Sequence, residues 1–256
     1  MPHGAILLPG IVTPAELSFG DLRKALGGDY PIVLRDLAIY DSATPPEDYG
    51  LDLEIAGVLA TASKFGFDRF HLVGYSAGGA IAAAVASRHG DRVASLALME
   101  PAWLGATGVS DQERRWFDAA IAAADLPGPE AMARFVKLNL REGIEPPPPP
   151  PGDPPPWMAS RPAAIRAVGP AFREYDFNPE GLRRLKCPVL YVLGTLSNPV
   201  YEERANRAST LFADFTLEVF AERHHFDPPH RAEPERVARL LQALWKRGEL
   251  SYGKGR

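Results

Sequence analysis

Six short apolar runs punctuate this chain: AILLP at 5–9, PIVLRD at 31–36, RFHLVG at 69–74, VASLALM at 93–99, PVLYVLG at 188–194 and FTLEVF at 215–220. Each is bounded by turn residues. Segments with apolar residues three and four apart, at 15–26, 49–65, 77–89, 200–212 and 231–247, lie between or after most of them. Continuously apolar strands are buried on both faces, and strands that alternate with helices join in parallel. The pattern predicts an α/β fold, a mostly parallel sheet of about six strands with helices on both faces.

The alternation lapses once. Between residues 103 and 185 there are two helical patterns, DQERRWFDAAIAAA and PEAMARFVKLNLREG, then the run EPPPPPPGDPPPW, and no convincing strand. We read 1–102 and 186–256 as one α/β core and 103–185 as a helical cap inserted between two strands. The proline run, 146–156, is expected to be extended polyproline II, a linker within the cap. An SH3-type ligand is the other use of such a run, but its internal position and the lack of flanking basic residues favour the linker.

Composition narrows the function. With 256 residues, 46% apolar and 23% charged, the chain can bury a substantial core. A formal charge of −4 and the lack of a long Lys/Arg run argue against nucleic acid, so a small-molecule partner is expected. The one cysteine, Cys187, rules out an intrachain disulfide and reads as a core residue. No run approaches the ~20 apolar residues of a membrane span, and the first residues lack signal-peptide character. A cytoplasmic protein off the membrane is expected; its oligomeric state does not follow.

The chemistry concentrates at GYSAG, Gly74 to Gly78, which follows the strand RFHLV and opens the helix AGGAIAAAVASRH. Strand, tight turn and helix in that order can lift Ser76 to the C-terminal edge of a parallel sheet, where open α/β folds place their ligands. Gly74 and Gly78 let strand and helix approach closely. Read more plainly, the loop is a glycine-rich turn.

In these features the chain resembles the α/β-hydrolase superfamily over nearly its whole length: LLPG for the oxyanion turn, GYSAG for the nucleophile elbow, an inserted cap, then PVLYVLG and a late histidine. Two departures stand out. The family's usual N-terminal hairpin is missing, and the common His-Gly of the oxyanion turn is Pro9-Gly10. The resemblance implies Ser76 as nucleophile and the Ile11 and Ala77 amides as oxyanion donors. It also implies a base in ERHHFDPPHRAEPE, after the last strand. There His225 is chosen because a histidine followed by an apolar residue fits the family's loop, with His224 its rival and His230 packing at the final helix. The three lack metal-ligand spacing, so no metal is expected.

The acid is the difficulty. Where the family often carries an aspartate, after PVLYVLG, this chain has Ser197. Glu100 instead follows the strand after the elbow helix, and two parallel strands joined by one helix bring Ser76 and Glu100 to the same sheet edge. An acid there resembles an alternative used within the superfamily. Glu202 and Glu203 are weaker candidates, expected inside the following helix, and for Glu100 itself the other reading is a surface or capping glutamate.

The expected activity is that of a cofactor-free serine hydrolase cleaving a small, largely apolar carboxylic ester, lactone or thioester. Carbon–carbon bond hydrolysis, acyl transfer and a non-catalytic receptor on the same fold are the alternatives. Trp103, Tyr75 and Trp157 are the expected substrate-contacting residues; Trp116, Phe117 and Phe135 stand in the same aromatic cap region.

Overall fold

The computed structural model describes residues 3–146, 148 and 152–253. In chain order the elements are β1 (Gly4–Leu8), α1 (Ala15–Leu26), β2 (Ile32–Leu34), α2 (Leu51–Lys64), β3 (Phe70–Tyr75), α3 (Ala77–His89) and β4 (Val93–Met99). Four helices follow without a strand: α4 (Asp111–Ala124), α5 (Gly128–Leu138), α6 (Arg161–Glu174) and α7 (Pro179–Arg183). The chain then returns through β5 (Val189–Gly194), α8 (Val200–Leu211), β6 (Phe215–Phe220), α9 (Pro229–Ala232) and α10 (Pro234–Gly253).

All strand pairings are parallel, in the order β2-β1-β3-β4-β5-β6, so the sheet expected from the apolar runs is the sheet observed. Alternate side chains feed two cores. Leu72, Leu96 and Leu98 pack with α2, α3, α8 and the helices between β4 and β5, whereas Val73, Ala97 and Met99 pack with α1 and α10. On the second face Leu241 and Trp245 of α10 are fully buried. A buried Leu of this kind contributes about 1.5–3 kcal/mol, which is why a helix with a polar outer face still docks firmly.

Register positions the site. Tyr75 lies opposite Met99 and Met99 opposite Val192, so the residues that follow, Ser76 and Glu100, leave the same edge side by side, next to the end of β5.

Three expectations need correction. The second strand is three residues long and half-buried, because it is the sheet edge and gains partners on one side alone. The final helical pattern is broken at Glu233, giving the short α9 before α10. A third long helix, α6, was absent from the sequence reading because RPAAIRAVGPAFRE carries two prolines. Pro162 falls in the first turn, where its missing N–H is not needed. Pro170 lies inside the helix, and there burial of Ala164, Ile165, Val168 and Phe172 outweighs the lost hydrogen bond. Of the proline run, Pro147 and Pro149 to Pro151 lie outside the described residues, so the expected extended segment is not described along its length.

Candidate active site

The end of β3 is forced into an uncommon backbone. Ser76 has φ 54° and ψ −117°, a conformation L-residues rarely adopt. It is held there by the Ser76 amide donating to Met99 O at 3.0 Å and by the Ala102 and Ala80 amides donating to Ser76 O at 2.8 and 3.1 Å. Glycine is required on both sides: a Cβ on Gly74 would lie 2.2 Å from Gly78 O, and one on Gly78 2.3 Å from Leu8 O. Such strain persists where surrounding contacts over-determine it, and it presents the hydroxyl clear of its own strand.

His225, in the loop between β6 and α9, reaches that hydroxyl with Nε2 3.0 Å from Ser76 Oγ. Its Nδ1 lies 2.8 Å from Glu100 Oε2. An ionised carboxylate only accepts, so Nδ1 carries the proton and the Nε2 lone pair faces the serine. The ring is clamped as well as bonded. Tyr201 of α8 stacks on it with centroids 4.8 Å apart and planes within 16°, and the Tyr75 hydroxyl donates to the His225 carbonyl. The Tyr201 hydroxyl lies 3.3 Å from Nε2 and donates to Asn139 Oδ1, in the loop after α5. Full burial pushes both tyrosine hydroxyls well above their ordinary pKa, so they remain neutral donors.

Glu100 is 2% exposed and, like Ser76, sits at positive φ, 44°. Its Oε1 accepts from the Gly194 amide at 2.8 Å and from the Ser197 hydroxyl at 2.6 Å. The loop after β5 thus supplies donors to an acid carried by β4. That loop is itself braced by the chain after α5, through Arg141 N to Leu196 O at 2.9 Å and Asn198 N to Asn139 O at 3.0 Å.

Other candidates fall elsewhere. His224 Nδ1 accepts from the Phe226 and Asp227 amides, so it shapes the loop and does not face Ser76. His230 is fully buried with Nε2 3.2 Å from Ser18 Oγ, and burial drives its pKa down to about 3. Glu202 lies 4.0 Å from Arg141, and Glu203 accepts from Ser110 at the start of α4.

Two cavities meet at Ser76. The larger runs under Ile11, Ala77, Trp116, Phe117 and Ile165 and has no charged residue in its wall. The smaller is bounded by Gly10, Thr13, Tyr75, His225, Phe226 and Arg231. Ile11 and Ala77 thus stand beside Ser76. The Ile11 turn is fixed by Gly78 N donating to Pro9 O at 3.0 Å and by the Tyr40 hydroxyl donating to Ile11 O. Arg161 of α6 donates to Val12 O at 2.8 Å while lying 3.8 Å above the Tyr40 ring. Trp103 stacks on Phe117 at 4.2 Å and Trp157 lies 4.9 Å from the Arg161 guanidinium; neither borders these two cavities, whereas Tyr75 does. No periodicity or motif in the sequence marks Tyr201, Asn139, Tyr40 or Arg161, and Ser197 stands out there only as the residue in place of an aspartate.

Among the described residues, the group able to approach a cation is His3, His71 and Glu249, whose donor atoms lie within 4.8 Å of one another. It sits at the other end of the strands from Ser76. No helix is long and apolar enough to cross a membrane among the described residues.

Against known proteins, residues 5–240 match the model of the alpha/beta hydrolase family. N-formylmaleamate deformylase of Pseudomonas putida is 33% identical over 101 residues, a match spanning 39% of this chain and 37% of that protein. The thermophilic esterase of Thermogutta terrifontis superposes with a TM-score of 0.70 at 17% identity, covering 97% of this chain and 91% of that one. The meta-cleavage product hydrolase of Pseudomonas fluorescens gives 0.66 at 17% identity, covering 95% and 90%. At such identities the two structures speak for the fold, and the family match spans nearly the whole sequence: this chain belongs to the alpha/beta hydrolase family.

Proposed function

We propose that this chain is a serine hydrolase that cleaves a small, largely apolar carboxylic ester, lactone or thioester through an acyl-enzyme. The observation that carries the reading is the continuous chain of buried hydrogen bonds from Ser76 Oγ through the His225 ring to Glu100, at a serine that borders two cavities. His225 Nε2 takes the Ser76 proton as Oγ attacks the carbonyl carbon, and Glu100 stabilises the imidazolium that forms. The Ile11 and Ala77 amides receive the oxyanion; Ala77 is the first residue of α3, where backbone amides lack intrahelical partners. The imidazolium then protonates the leaving oxygen or sulfur, and water attacks the acyl carbon with His225 again as base.

In this reading residues 103–185 act as a cap over the serine, since α4, α5 and α6 supply Trp116, Phe135 and Ile165 to the apolar cavity. That cavity favours an apolar acyl chain. The N-formylmaleamate deformylase match favours a second reading, in which the same groups release an acyl unit from an amide nitrogen.

The test is labelling with a fluorophosphonate probe followed by peptide mapping, together with turnover of short-chain nitrophenyl esters. Covalent modification of Ser76, and loss of both labelling and hydrolysis in a folded Ser76→Ala protein, are expected. Labelling at another residue, or activity in the variant above a few per cent of the parent, refutes the assignment.

A further inference from the structure

The two cavities beside Ser76 differ in more than size. His225 borders the smaller one and not the larger. In acyl transfer the proton taken from the serine by Nε2 is handed to the departing atom, so the leaving group has to lie where Nε2 faces, on the smaller cavity's side. The acyl chain is then left with the larger, uncharged cavity.

The smaller cavity carries one permanent positive charge, Arg231 of α9. The acids in its neighbourhood are already engaged. Asp227 binds Arg223 at 2.7 Å, while Glu233 binds Arg223 at 3.0 Å and Arg236 at 3.6 Å. The Arg231 side chain makes no hydrogen bond or ion pair with any described residue. Other polar groups in the same wall are spent on the protein itself: the Tyr75 hydroxyl donates to the His225 carbonyl, and Ser18 pairs with His230. Arg231, an exposed residue at the rim of the cavity that Tyr75 and Phe226 also line, is thus left with its planar donor face open to solvent. That face matches a carboxylate in a two-bond fork.

We propose that the smaller cavity is the leaving-group site and that Arg231 selects substrates whose leaving alcohol, thiol or amine bears a carboxylate. This rests on the serine-hydrolase reading and deepens it: an apolar acyl chain on one side of Ser76, a compact anionic leaving group on the other. The bonds balance as in simple ester cleavage. The Ser76 oxygen bonds to the acyl carbon, the carbonyl carbon releases the leaving oxygen, and that oxygen receives the proton from His225 Nε2, so the first product departs as a hydroxy-carboxylate.

The test uses butyrate esters of 4-hydroxybenzoate and of 4-hydroxybenzamide, which differ in the charge of the leaving group and little in shape. The readout is the ratio of their kcat/KM values. In the parent protein the carboxylate ester is preferred, and in Arg231→Gln the ratio falls by about two- to fivefold, the scale expected for a charge-assisted pair open to solvent. Arg231→Lys retains part of the preference, since it keeps the charge and loses the fork. An unchanged ratio in Arg231→Gln overturns the proposal. So does a result in which Arg231 discriminates instead for an acyl-side carboxylate, measured with the glutarate monoester of 4-hydroxybenzamide. Calorimetric binding of 4-hydroxybenzoate to Ser76→Ala, with and without Arg231→Gln, separates this inference from the one beneath it. Arg231-dependent binding without ester turnover sinks the hydrolase reading, and with it the leaving-group role, while leaving a carboxylate site at Arg231, whereas turnover with binding indifferent to Arg231 sinks the leaving-group site alone.

Discussion

Glu100 and Glu113 are buried almost equally, at 2% and 1% exposure, and are used in opposite ways. Glu113 of α4 meets permanent cations: Arg204 Nε at 2.7 Å and Arg207 at 2.9 Å, with Arg204 also donating to Pro101 O at 2.7 Å. Both partners carry permanent charge. Glu100 meets neutral donors, an amide and a hydroxyl, and a histidine that is charged only when protonated. A buried acid tied to two arginines has nothing left to offer a reaction. In the proposed reaction, one held in place by neutral donors keeps its charge for the imidazolium, which would exist only while the proton is in transit. The two carboxylates differ in their partners, since burial is the same.

The sharpest way to break that contrast is Glu100→Gln, which keeps shape and removes charge. It is expected to lower kcat on the order of 10³-fold or more, with a thermal midpoint close to the parent's, because no fixed cation is left unpaired. Near-parental turnover from pH 6 to 9 would mean that Glu100 is only a tie, like Glu113.

The mirror experiment is Glu113→Gln. Removing the acid leaves two largely buried guanidiniums against a neutral amide, and loss of about 3–5 kcal/mol in denaturant-derived stability is expected. The folded fraction should retain its labelling by the fluorophosphonate. If stability is unaltered, the pair does not hold α4 to α8 as the distances suggest.

A smaller effect refines the comparison. Ser197→Ala removes one of the two donors to Glu100 Oε1 and leaves the Gly194 amide, so a fall in kcat of about tenfold is expected. A loss as large as that of Glu100→Gln would promote Ser197 from supporting the carboxylate to something essential.

Much of this was readable because it is local. The six strands declare themselves as apolar runs, and the Ser76 turn follows from two glycines at fixed offsets around a serine between strand and helix. Glu100 was also reachable, since parallel strands joined by one helix put their ends together and the register does so here. Ser197 was noticed as the residue standing where an acid was expected, though not as a donor to the acid that replaced it. Tyr201 and Asn139 have no sequence mark because Tyr201 meets His225, and Asn139 meets Tyr201, only through tertiary placement, from a helix and a loop 62 residues apart. Helix α6 escaped because propensity rules penalise Pro170 without seeing the apolar face it shares with α4 and the sheet. Local signals carry the scaffold and the Ser76 turn; the groups that steady His225 and the Ile11 turn have no signature shorter than the fold.

The bond from Arg161 to the Val12 carbonyl has a meaning for anyone who would re-engineer this molecule. Residues 103–185 look exchangeable, a module to be swapped between relatives to alter what is cleaved. Yet Arg161 belongs to that module, and it grips the turn that carries Ile11, which lines both cavities beside Ser76, with Tyr40 of the sheet-bearing part beneath its guanidinium. The seam of any graft therefore runs through the chemistry, and a transplanted module has to bring an arginine in register with Tyr40.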